Sequence, residues 1–228
     1  MSETLASNSS ARIVGVLFLV PIGFVNNTVL VGPYTFAKNY MTTVAAHSFE
    51  IRLGMVLGII GALISFSIPI ILLPVFRRYN RSLAFALPCL SVVHFIGVMM
   101  DNAALQSLIA VSKLYVGSGV TGRADFQLLG PVLQSTRLWT HWMTILVPCT
   151  SQALFFYMLL KYKLLPRFIA IWGLAGVVLT ALSILFMIFG AGSYLWLMIP
   201  LGLDMLLLSL WLLIKGFNTG DTLLINKE

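Results

Sequence analysis

The chain has 228 residues, 59% of them hydrophobic and only 9% charged, with 14 Lys and Arg against 7 Asp and Glu for a net charge of +7. Soluble domains carry about 25% charged residues, so this composition, with a mean hydropathy of +0.98, excludes an ordinary water-soluble fold. The basic balance is not a nucleic-acid footprint either, because no basic surface domain interleaved with aromatics exists to hold phosphates.

Six apolar stretches stand out, each near the roughly 20 residues that a helix needs to cross the hydrocarbon core. Helices are expected because lipid offers the backbone no hydrogen bonds. The runs are continuous rather than alternating, which excludes a membrane β-barrel. The expected class is therefore all-α, an integral membrane bundle of six transmembrane helices in a single domain.

The opening residues, MSETLASNSSA, lack the basic start and cleavage site of a secretory signal, so the first span is expected to be retained. That span is predicted near Arg12–Val31, with Asn26 and Asn27 in its outer half. Residues 32–52 form a long connection that carries His47, Glu50 and Arg52. The second span is predicted near Leu53–Phe76, where Gly54 and Gly58 form a small-xxx-small pair suited to close helix approach. The third is predicted near Ser82–Val111 and holds Cys89, Ser91, His94 and Asp101.

Residues 112–137 make a second long connection, read like the first as a loop or an interfacial lid. The fourth span, near Leu138–Leu160, presents His141, Thr144, Pro148 and Gln152 in one sector, with Arg137 just ahead of it. The fifth, near Phe168–Gly190, has Gly173 and Gly176 as packing positions. A tight Gly190-Ala191-Gly192 turn then leads to the sixth, near Tyr194–Ile214, with Asp204 at mid-depth. Cys89 and Cys149 are read as buried free thiols. Asn8-Ser9-Ser10 and Asn26-Asn27-Thr28 match the glycosylation pattern, but the first is expected inside the cell and the second within a span.

Orientation follows from Lys and Arg. Arg77, Arg78 and Arg81 follow the second span, and Lys161, Lys163 and Arg167 follow the fourth. Short basic connections belong in the cytoplasm. Both termini are then cytoplasmic, and the expected location is a bacterial inner (plasma) membrane, with the lipid bilayer as partner.

Ionisable groups inside a span cost about 2.5–3.5 kcal/mol each on insertion scales and mark function by default. The candidate ligand-binding set is His94, Asp101, Arg137, His141, Asp204, Asn26, Glu50 and Arg52, expected to converge in the outer half of the bundle. His94 and Asp101 are two helical turns apart, about 10 Å, so each needs a partner from another segment. A structural ion-pair network, a polar binding pocket or proton path, and a three-histidine metal site all fit these residue types. The metal reading lacks HxxxH or HExxH spacing, so no metal is assigned. No cofactor is identified.

The stretches ARIVGVLFLVPIGF, HSFEIRLG, LLPVFRRYNRSLA, KYKLLPRFIAIWGLAGVVL and LDMLLLSLWLLIKGFN resemble the bacterial membrane proteins grouped as domain of unknown function 4386. The resemblance covers nearly the whole chain and implies a six-helix membrane protein without assigning an activity. It also implies an acidic position in the last helix. Asp204 stands there, shorter by a methylene than the glutamate that the resemblance leads one to expect.

The reading favoured is binding or transport of a small molecule through an outward-facing polar cavity. An intramembrane enzyme using the His and carboxylate groups, and an accessory subunit acting by protein contact, are the alternatives.

Overall fold

A computed structural model of the protein describes residues 2–20 and 26–218, and among these the secondary structure is helical with no strand. The helices are α1 (Ser2–Leu19), α2 (Gly32–Thr35), α3 (Tyr40–Ala46), α4 (Ser48–Phe76), α5 (Arg81–Gly117), α6 (Gly119–Lys161), α7 (Arg167–Ile188) and α8 (Ile199–Ile214). A π-helical turn at Asn26–Val31 precedes α2, and a 3-10 turn at Leu195–Met198 leads into α8. Side chains of residues 2–7, 26–28 and 119–124 lie outside the description.

Five helical stretches are long and apolar enough to cross a membrane: Ser48–Phe76, Arg81–Gly117, Asp125–Lys161, Arg167–Ile188 and Leu195–Ile214. A shorter apolar helix, Asn8–Leu19, stands at the start. Large apolar side chains are exposed along these helices, among them Phe85, Ile96, Met100, Ile171, Val178 and Leu206. Bilayer lipid is the solvent that tolerates such a surface. The protein is a multi-pass helical membrane protein.

Two expectations need correction. The first helix ends at Leu19 rather than running to Val31. Val20 precedes Pro21, and the residue before a proline is disfavoured in the α region. The second correction concerns residues 112–137, which are not a loop. α5 and α6 continue through them and are separated by Ser118 alone. An irregular chain near lipid would leave backbone groups unsatisfied. The hydroxyls that compete with helices elsewhere bond back to carbonyls one turn earlier here. Ser118 donates to Tyr115 and Thr136 to Val132.

The described residues fall into two compact units. One comprises residues 2–20, 64–93 and 145–218, and the other residues 26–63 and 94–144. In the first, Phe155 and Phe76 meet with centroids 5.9 Å apart, Phe18 adds to Phe155 at 6.0 Å and Phe217 to Phe76 at 6.4 Å. The hairpin of α7 and α8 turns at Gly190 (φ 69°) and Gly192 (φ 118°), conformations that favour glycine. Its register is constant. A Cβ on Gly176 would lie 2.8 Å from the Leu201 Cα. Seven residues further along α7, Ser183 donates to the carbonyl of Tyr194, seven residues before Leu201.

In the second unit Val31, Val44, Ile51, Leu105, Leu108 and Ile109 form the core. Two side-chain amides tie it together. Asn102 donates to the Met55 carbonyl (3.3 Å) and Gln134 to the Thr35 carbonyl (2.9 Å). The α6 backbone comes close at Gly130, where a Cβ would collide with the Met41 Sδ and the Tyr40 hydroxyl, both at 2.8 Å. Burial raises the Tyr40 phenol above its ordinary value of 10.0.

Candidate functional site: a carboxylate–imidazole cluster

α5 and α6 run antiparallel, and the single-residue turn at Ser118 fixes which side chains meet. Gly97 lies against Thr144, whose Cγ2 is 3.5 Å from where a Cβ would stand. Four residues on along α5 and four back along α6, Asp101 meets Thr140. The Thr140 hydroxyl donates to Asp101 Oδ1 at 2.9 Å, and the carbonyl of Arg137 also lies 2.9 Å from that hydroxyl. Oδ2 of Asp101 is 3.6 Å from His141 Nδ1. That separation is too long for a hydrogen bond.

Arg137 sits one helical turn before His141 and is 1% exposed. Its guanidinium carbon lies 5.6 Å from the centre of the Phe36 ring, within the roughly 6 Å at which a cation is attracted to a ring face. The Asp101 charge acts on the same guanidinium. An acid, a base, a hydroxyl and a cation are thus gathered in one shielded place. His141 is 7% exposed.

Both halves of the cluster stand at the same distance from a basic helix end. Twenty residues separate Asp101 from Arg81 at the start of α5, and twenty separate His141 from Lys161 at the end of α6. At 1.5 Å per residue that is about 30 Å, the thickness of the hydrocarbon core.

His94 belongs to the same unit. The Thr144 backbone lies against its ring, and its Nδ1 is buried with no hydrogen-bond partner.

The other residues of the expected set are placed differently. His47 contacts Glu50 at 3.3 Å and stacks on Tyr34 with centroids 4.2 Å apart, so Glu50 pairs locally, within one helical turn. Arg52, expected to join the acids, is exposed. The Asn26 side chain lies outside the described residues. Asp204 belongs to the other unit, where it is fully buried on α8 with neither carboxyl oxygen hydrogen-bonded. Cys89 is exposed rather than buried, and Cys149 is buried, both as free thiols.

Thr140, Phe36 and Gln134 escaped the sequence reading. Nothing in their spacing marks them, because each acts through a residue 39, 101 or 99 positions away. Among the described residues, no group of three or more His, Cys, Asp or Glu side chains is placed to hold a metal ion.

No curated protein matches the chain, and no solved structure matches it. The family described as Domain of unknown function (DUF4386) matches residues 13–216, all but the two ends of the chain. The chain belongs to that family, as a multi-pass membrane protein.

Proposed function

We propose that the protein binds a small polar solute at the Asp101, Thr140, His141 and Arg137 cluster, as a carrier or sensor of the plasma (inner) membrane with both termini in the cytoplasm. The observation that carries this reading is the Asp101–His141 pair, held beside a buried Arg137 about 30 Å of helix from the basic ends of α5 and α6. With those ends in the cytoplasm, the cluster lies at the outer edge of the hydrocarbon core and faces outward. The N–H donors of Arg137 and His141 favour a solute with an anionic or zwitterionic group, which Asp101 complements. His94 extends the polar seam inward along α5 and α6.

A thermal-shift screen of the purified protein against small carboxylates, amino acids, amines and sugars tests this. Solutes with an anionic group should raise the unfolding temperature of the parent, and Asp101→Asn and His141→Gln should abolish the rise. A folded parent that responds to none of them, or hits untouched by both substitutions, would sink the proposal.

A further inference from the structure

A fully buried carboxyl lies in the other unit and has different surroundings. Asp204 is 0% exposed, and neither oxygen has a hydrogen-bond partner. The constant register of α7 and α8 brings Asp204 to the level of Gly173, three residues back from Gly176. There the face of α7 is occupied by the Phe156 ring, which touches the Gly173 position so closely that a Cβ would overlap it. Leu201 and Leu208, one turn away on either side along α8, are buried too. Lys215, which caps the end of α8, is eleven residues off, about 16 Å along the axis and so near half the thickness of the core.

Among the described residues, no hydrogen bond or ion pair joins Asp204 to a charged group of its unit, and on α4 and α5 the charged side chains Arg77, Arg78 and Arg81 stand at the turn between the two helices. On α1, Arg12 is exposed and Glu3 stands near the helix start. On α7, Arg167 is exposed at the first residue. On α6, Lys161 and Tyr157 are exposed, and the buried Cys149 is seven residues from Phe156. The 3-10 turn Leu195–Met198 has no titratable side chain.

A full charge left bare among apolar side chains is not tolerated. An alkali ion would need several oxygens around it. The nearest candidates on α7 and α8 are spent or distant. The Ser209 hydroxyl bonds the Met205 carbonyl, and the unpartnered Thr180 hydroxyl is seven residues, about 10 Å, along α7 from Gly173. We infer that Asp204 is a proton-binding site inside the bilayer, one that exchanges its proton with the medium and works separately from the Asp101–His141 cluster. It supplies the protein with a group whose charge state can be coupled to conformation.

Carbodiimide labelling of the full-length protein in vesicles tests this. The acid O–H adds across one C=N bond of dicyclohexylcarbodiimide, its proton going to nitrogen and its oxygen to carbon. An acyl shift from oxygen to nitrogen then leaves a stable N-acylurea, with no leaving group and no redox change. The expected result is one adduct at Asp204 by peptide mass, forming at least about tenfold more slowly at about pH 9 than at about pH 6 as the acid form is depleted. The adduct should be absent in Asp204→Asn and retained in Asp204→Glu, which keeps the test valid if the Asn variant does not fold.

Four outcomes would each overturn the inference. They are no adduct on the folded parent, a rate indifferent to pH (a locked structural acid), equal labelling by a water-soluble carbodiimide, and protection by sodium at fixed pH.

Discussion

Gly176→Ala tests a close helix approach in the unit that holds Asp204. The added Cβ would lie 2.8 Å from the Leu201 Cα and 2.9 Å from its nitrogen. Unstrained carbon contacts sit at about 3.5–4.0 Å, so α7 and α8 must part by about 1 Å. Both close atoms are backbone, so no side-chain rotation relieves them.

Overpacking of this kind costs about 1–3 kcal/mol. Replacing a helical glycine with alanine returns about 1 kcal/mol of helix propensity, leaving a net loss of about 0–2 kcal/mol. Gly202→Ala, on the same hairpin, is the control. Nothing lies within 4 Å of its Cβ position, so it should stabilise by about 0.5–1 kcal/mol.

The two alanine variants should therefore differ by about 1–3 kcal/mol. At about 2–4 °C per kcal/mol for a chain of this size, a thermal melt in detergent separates them. If Gly176→Ala melts as high as Gly202→Ala, the close approach of Gly176 to Leu201 is wrong, and the depth assigned to Asp204 goes with it.

Three further outcomes are expected. Thr140→Val should cost about 0.6–1.7 kcal/mol, the range for a membrane side-chain hydrogen bond. The cost should shrink in an Asp101→Leu background, and a thermal-melt mutant cycle that shows equal costs would assign the hydroxyl to the Arg137 carbonyl instead. Tyr40 lies outside the spans, and burial raises its phenol. Its contribution to stability is whole below the unfolded value of 10.0 and is lost as pH rises through the higher folded value. Tyr40→Phe should flatten the alkaline limb of a stability–pH curve, and an unchanged limb would refute the assignment. In a protein freed of Cys89 and Cys149, Ser118→Cys should react with an impermeant maleimide from outside the cell and Arg78→Cys should not. The reverse pattern would invert the topology.

The spans were legible because lipid imposes a length and an apolar composition that few other environments demand. α4 ends at Phe76, just before Arg77, and α7 at Ile188, two residues before Gly190. The Gly190–Gly192 turn is a local signal and was read correctly. Residues 112–137 were misread because their glycines and hydroxyls resemble loop chemistry, while contacts such as Gln134 to Thr35 hold them helical.

That misreading hid the site geometry. The pairing of Asp101 with Thr140 and His141 depends on a register set by a turn at Ser118, which disappears once the segment is taken as a loop. The need of Asp101 for a partner on another helix was legible, but the partner's identity was not. Asp204 looked like a member of the same cluster because depth along a span says nothing about direction around the helix.

A binding centre at the Asp101–His141 pair is tested by an isotherm for the strongest solute found in the thermal-shift screen. Asp101→Asn and His141→Gln should each weaken binding by at least about tenfold, the equivalent of about 1.4 kcal/mol. Glu50→Gln, which alters only the local pair with His47, should leave affinity unchanged. Affinity that survives both cluster substitutions, or that falls equally with Glu50→Gln, would contradict the account.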